Sequence, residues 1–311
     1  MKIAIVRDTA PTNRWADTWK ALAEKNSIEY REFDSNIDAF LDSVIAYNPN
    51  KILWRSGNFV ISKFKDEAYR LLLDKTKIQV VSNWNTHWLF DHKIRQTCLF
   101  KLHNIPHPET HIYFTEKEAM DSLKTVEYPF VIKADGGAGS KSIRFVEDKE
   151  TGMDIIGNAF RRQGKWTGHE YENHVIYAQE YLPIKYIWRV SIFKNKLAWG
   201  VKQSVKPGTI KASNQGLYEF PPVPNVLLNL VLRIGKKLKW DWGMCDFAWN
   251  EKHKQWQILE VCDTCGRPHM KRELTYYKMG SKWISKKENT SAQELIFRLF
   301  VLEESWRRSE R

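Results

Sequence analysis

Pro129-Phe-Val-Ile-Lys-Ala-Asp-Gly-Gly-Ala-Gly-Ser-Lys-Ser-Ile-Arg-Phe-Val146 opens with a short apolar run, Phe130 to Ile132, and closes with a β-rich run, Ser142 to Val146. Short apolar runs bounded by turn residues read as strands. Between them lie Gly136, Gly137 and Gly139. Glycine has no Cβ, so such a loop can bring backbone N–H groups close to an anion. Ser140, Lys141 and Ser142 add hydroxyls and a charge, and Lys133 ends the first strand where its ammonium would reach a phosphate. The loop fits neither GxxxxGK[ST] nor GxGxxG. Taken alone, it reads equally as a phosphate cradle or as a glycine-rich hairpin turn.

The composition around this loop narrows the class. With 311 residues, 42% hydrophobic and 28% charged, the chain suits a globular protein of two or three subdomains. It holds no apolar run of about 18 residues, the length a membrane helix needs. Met1 to Asp8 reads as a strand rather than a secretory leader. Four cysteines in a chain of this length do not make a disulfide scaffold, so the expected setting is reducing and cytoplasmic. A net charge of +12 and a pI near 9.4 favour anionic partners: nucleotides, carboxylate or phosphorylated substrates, or nucleic acid. The basic residues are dispersed, which argues against a dedicated nucleic-acid arm.

Before the loop, residues 1–83 alternate strand and helix patterns. Ile3 to Val6, Ile28 to Phe33, Lys51 to Arg55 and Ile78 to Ser82 read as strands; Pro11 to Lys25, Ile37 to Tyr47 and Lys63 to Leu73 read as helices. This order implies a parallel sheet covered on both faces. No glycine-rich turn follows the first strand, so a dinucleotide site is not expected there. One helix is expected over Thr86 to His103, ended by Asn104-Ile-Pro-His-Pro108. Gln163 to Asn173 reads as a polar loop. After the loop, Val175 to Leu182, Ile187 to Phe193 and Lys196 to Gln203 read as strands, with Lys194-Asn195 as a hairpin turn. Pro224 to Leu238 reads as an amphipathic helix, Gly243 to Trp249 and Trp256 to Val261 as paired strands, and Ser291 to Glu304 as a closing helix.

This order of features resembles the ATP-grasp superfamily, in particular the carboxylate–amine ligases that include the ribosomal-protein glutamate ligases. The resemblance rests on Asp91-His92-Lys93 followed by Ile105-Pro-His-Pro-Glu-Thr110, on Pro129 to Lys133 with its glycine loop, on Gln179-Glu-Tyr-Leu182, on Trp188-Arg-Val190, on Lys211-Ala-Ser-Asn214, and on Asp246 and Glu260. It implies a Rossmann-like α/β domain (residues 1–83), then an ATP-grasp fold of two α+β subdomains clasping ATP: residues 84–182 with the glycine-rich flap, and 183–311 with a metal site. It also implies that Lys93 and Lys133 meet the nucleotide phosphates and that Gly136, Gly137, Gly139 and Ser140 form the flap. Gln179, Glu180, Tyr181 and Leu182 would hold the adenine. Arg189, Lys211 and Asn214 would face the reacting phosphate or acyl group, and Asp246 and Glu260 would bind two magnesium ions. Cys262 stands where the family carries a further metal-binding asparagine, which brings in Asp263 as a substitute oxygen ligand. The substrates implied are small molecules or peptides with a carboxylate and an amine.

Other readings stay open at this point. Cys262-x-x-Cys265 also reads as a redox pair, as half of a zinc site with His269 and Cys245, or as two reduced thiols at the site edge. Arg55, Arg267 and His269 are candidates for substrate contacts. The alternatives to a ligase are another ATP-grasp chemistry, such as a kinase or thiol ligase, a basic nucleic-acid-binding protein, and an ATP-binding protein without catalysis.

Overall fold

Ile3, Ala4, Ile5 and Val6 are all buried, an unbroken apolar run that only a strand covered on both faces needs. The computed structural model describes residues 1–8, 10–55, 68, 70–72, 74, 76–81, 83–90, 92–136, 143–161, 165–166, 171–172, 174–205, 217–262 and 272–303. The run forms the strand β1 (Lys2–Arg7), followed by α1 (Ala10–Lys25), β2 (Glu29–Asp34), α2 (Phe40–Tyr47), β3 (Lys51–Trp54) and β4 (Gln79–Val81). These strands make a four-stranded sheet in the order β2-β1-β3-β4, parallel throughout. Ile3 and Ile5 point to Trp15 and Trp19 of α1 on one face, and Ala4 and Val6 to Phe40 and Val44 of α2 on the other. Of the helix expected over residues 63–73, positions 68 and 70–72 are helical and the rest lie outside the described residues.

The single helix expected over Thr86 to His103 is two: α3 (Trp84–His87) and α4 (Lys93–Leu102). Each has its own N-terminal cap. Asn83 accepts from the Thr86 N–H, and the distant Asp135 carboxylate accepts from the Ile94 N–H at 2.6 Å. A cap from another part of the chain can start a helix where local sequence gives no signal.

The second sheet is antiparallel and four-stranded, in the order β5 (Thr110–Tyr113), β10 (Ile176–Glu180), β6 (Phe130–Lys133), β7 (Arg144–Val146). α5 (Glu116–Ser122) and α6 (Lys149–Phe160) cover it over a core of Phe130, Ile132, Val146, Ile156 and Ile176. A short hairpin, β8 (Lys165–Trp166) with β9 (Tyr171–Glu172), lies where a loop was expected.

The third sheet is seven-stranded and antiparallel. Its order is β15 (Gln255–Cys262), β14 (Trp242–Asn250), β11 (Tyr186–Phe193), β12 (Leu197–Ser204), β16 (Arg272–Met279), β17 (Lys282–Thr290), with β13 (Tyr218–Glu219) beside β12. The Lys194-Asn195 turn has φ of 45° and 54°, the left-handed pair that a tight hairpin requires. Under one face lies α7 (Asn225–Lys237), whose Leu227, Val231 and Ile234 meet Val190, Ile192, Phe247 and Val261. On the other face Phe193, Leu197, Trp199 and Trp242 share a core with Ile3, Ile5, Trp15 and Trp19. α8 (Ala292–Phe300) completes that core with Leu295, Ile296 and Phe297, its first turn closed by a Ser291–Glu294 capping box.

Because α8 joins the first sheet to the third, Phe297→Ala opens a cavity between two lobes. The expected loss is about 3–5 kcal/mol of unfolding free energy, read from urea denaturation followed by tryptophan fluorescence.

Candidate functional site

Side chains alternate along a strand, and residues directly opposite on neighbouring strands share a face. Arg189 of β11 is opposite Asp246 of β14, and Asp246 is opposite Glu260 of β15. The three therefore form one row. Their neighbours Val190, Phe247 and Val261 belong to the core under α7, so the row faces away from that helix. The register shifts between Asp246 and Phe247, with Leu259 as the extra residue; this bulge lets Glu260 face the row while Ile258 returns to the core.

Arg189 Nη2 lies 3.0 Å from Asp246 Oδ2. The other carboxylate oxygen, Asp246 Oδ1, is buried with no hydrogen-bond partner among the described residues. Burial pushes the Asp246 carboxyl up to about 6; Arg189 pulls it back down, and Glu260 pushes it further up. Burial works against the Arg189 charge, and Asp246, Cys262, Tyr218 and Glu260 more than restore it. A buried oxygen with no donor, beside a second carboxylate on the same face, is a donor set for a hard divalent cation. Among the described residues no third His, Cys, Asp or Glu completes a cage, so such a cation would need oxygens from a bound ligand as well.

Two lysines face these acids. Lys133, at the end of β6, donates to Gln179 Oε1 at 2.5 Å. Gln179 in turn donates to Thr110 Oγ1 at 2.9 Å and to the Tyr177 hydroxyl at 3.2 Å, so its whole amide serves to orient Lys133. Burial, then the neighbouring Lys93, lowers the Lys133 ammonium to about 8, while Glu260 works in the opposite direction. Lys93 is buried in the first turn of α4 and donates to the Asp135 carbonyl at 3.2 Å. Asp135 also takes His92 Nδ1 at 3.2 Å on its carboxylate. Lys93 is among the groups that lower the Lys133 ammonium, so the two cations lie close enough to feel each other.

The remaining expected residues divide into two groups. Glu180 accepts from Asn250 Nδ2 at 3.3 Å and from the Glu109 N–H at 3.3 Å, while Tyr181 packs edge-on to Phe145 and Leu182 is buried beside Ile187 and Ala248. Gly136 follows Asp135 at the mouth of the glycine loop. Arg55, at the end of β3, packs over Phe90 and Trp15. Gly137, Gly139, Ser140, Lys211, Asn214 and Asp263, with Cys265, Arg267 and His269, lie outside the described residues. Cys262 lies two residues along β15 from Glu260, opposite Met244. Asp135 and the orienting role of Gln179 escape a sequence reading, because both act through partners more than 40 residues away.

The overall fold resembles that of several solved structures. D-alanine–D-alanine ligase from Bacillus anthracis, complexed with ATP, matches with a TM-score of 0.61 and 15% identity over 84% of this chain and 86% of its own. An ATP-grasp RimK domain protein from Sphaerobacter thermophilus matches with 0.59 and 17% over 84% and 90%. The biotin carboxylase domain of Hydrogenobacter thermophilus 2-oxoglutarate carboxylase, in complex with MgADP, matches with 0.61 and 17% over 84% and 63%. No protein-family model and no curated protein sequence matches the chain. The chain has the ATP-grasp fold, and at these identities the likeness is one of fold.

The lowered Lys133 has a measurable consequence. The folded chain releases this proton near pH 8, the unfolded chain near the ordinary 10.5. Between those values the unfolded state binds more protons, so this group's contribution to stability rises with pH and is least favourable below 8. The stability of Lys133→Met minus that of the native protein is therefore expected to be most positive at pH 7. It should fall by up to about 1.4 kcal/mol per pH unit between 8 and 10.5, in paired urea titrations.

Proposed function

We propose that the chain is an ATP-dependent carboxylate–amine ligase that forms an amide or peptide bond through an acylphosphate. The observation that carries this reading is the Arg189–Asp246–Glu260 row with Lys133 near Glu260 and Lys93 near Lys133: acids suited to a cation beside cations suited to phosphates. ATP-grasp neighbours that are ligases support the class.

A carboxylate oxygen of the acid substrate attacks the γ-phosphorus of ATP, and the bond to the ADP oxygen breaks. The amine then attacks the acyl carbon and phosphate leaves. Asp246 and Glu260 would hold magnesium, whose chemistry when bound is to neutralise charge on the β- and γ-phosphate oxygens. Lys93 and Lys133 would grip phosphate oxygens. A phosphate beside it favours the charged form of Lys133, so a lysine held near 8 in the chain alone would be fully protonated in the complex. Gln179 keeps its ammonium aimed. Arg189, paired with Asp246, would offset charge developing on the transferring phosphoryl or acyl oxygens. Cys262 contributes a thiol, a poor magnesium ligand, so the two carboxylates would carry the metal with the nucleotide's own oxygens. Acidic or carboxylate-bearing acceptors suit the net charge of +12.

The test is ADP release with ATP and magnesium across a panel of amino acids paired with amines and peptides, with mass spectrometry of the product. Substrate-dependent release and a product carrying a new amide are expected, and Glu260→Gln and Asp246→Asn should each lower kcat by about 100-fold or more. A phosphate ester or thioester product would move the assignment to a kinase or thiol ligase. Failure to bind ATP at all would end the reading.

A further inference from the structure

β15 is the last strand on its side of the third sheet, so its outer edge needs partners from outside the sheet. Gln96 of α4 supplies them. Its Oε1 accepts from the Val261 N–H at 3.0 Å, and its Nε2 donates to the Val261 carbonyl at 2.9 Å and to the Leu89 carbonyl at 2.8 Å. A primary amide offers what a peptide unit of one more strand would offer, and here all three bonds are buried. Three residues earlier on the same strand, the Ile258 N–H donates to the Pro106 carbonyl at 2.8 Å.

Between these two anchors lie only Leu259, the bulge residue, and Glu260. A bulge disrupts the ladder locally, so the strand there depends on outside contacts for its position. Gln96 is one helical turn from Lys93. One buried side chain thus links the helix that carries Lys93 to the strand that carries Glu260.

We infer that Gln96 is a positioning residue that fixes the Glu260 carboxylate relative to Lys93 and so sets how tightly the site takes a divalent cation together with a nucleotide. The inference rests on the ligase reading insofar as that reading gives the site a magnesium nucleotide. Gln96→Met keeps the length of the side chain and removes its amide; Gln96→Asn, shorter by one methylene, is the second variant should the first not fold.

The experiment is calorimetric titration of native and variant protein with ADP, once in EDTA and once at graded magnesium. The magnesium concentration needed for half-maximal enhancement of ADP binding is expected to rise about 10- to 100-fold in the variant, with ADP affinity in EDTA changed less than about two-fold. Amide exchange at Val261 should quicken. Ile156→Val, in the separate core of the second sheet, is the comparator: it should lower thermal stability and leave the magnesium requirement where it was. An unchanged requirement in the Gln96 variant, or an equal loss in both titrations, overturns the inference while the ligase reading stands. If native protein binds ADP in neither titration, the ligase reading fails and this inference with it.

Discussion

The site depends on a half-buried arginine paired with a buried acid that has a second acid beside it. Arg189 and Asp246 lie within hydrogen-bond distance inside the fold, and Glu260 stands on the next strand facing the same way. Burial and a like charge both work against the Asp246 carboxylate, and one guanidinium offsets only part of that. The arrangement persists because the sheet cannot easily slip. A shift of one residue along β14 would turn Asp246 under α7 and Phe247 into the cleft, reversing every other residue of the strand as well. The apolar face beneath α7 therefore holds the charged row in place, and the row's cost is borne by a core that is none of its own residues.

The lysines near this row follow the same logic with the sign reversed. Lys93 and Lys133 are held near each other by the Asp135 carbonyl and the Gln179 amide, neither of which carries a full charge. These neutral acceptors orient the two ammonium groups, and burying charge costs stability, a loss that natural proteins commonly accept at working sites.

Elements whose signal is local were legible in the sequence. The run Ile3 to Val6 announced a doubly covered strand, and Lys194-Asn195 announced a tight turn, because sterics within a few residues decide both. The split between α3 and α4 was hidden, since the cap that restarts the helix is Asp135. The β16–β17 hairpin was hidden for another reason. β17 is an edge strand, and Lys282, Lys286 and Lys287 on it break the apolar pattern by which strands are found while guarding the free edge from pairing. In the site, Asp246 and Glu260 drew notice as acids on paired strands. Gln96 did not, and Gln179 was expected at the adenine rather than on Lys133, because a buried glutamine has the same letters as an exposed one and only its partners give it a role.

The cores also say where the molecule can yield. Trp15 stacks on Trp242, and α8 lies between the first and third sheets, so separating the first sheet from β14 would open a shared apolar core. α4 belongs to the third sheet's side as well, through Phe100 and, just after the helix, Ile105. The second sheet has a core of its own, with no member from α4 or the third sheet. It meets them through hydrogen bonds: Asp135 with Ile94 and His92, Thr97 with Tyr177, Asn250 with Glu180. Hydrogen bonds at a joint can be exchanged for water at little net cost, whereas an opened core cannot. Lys93 thus rides on one side of this joint and Lys133 on the other.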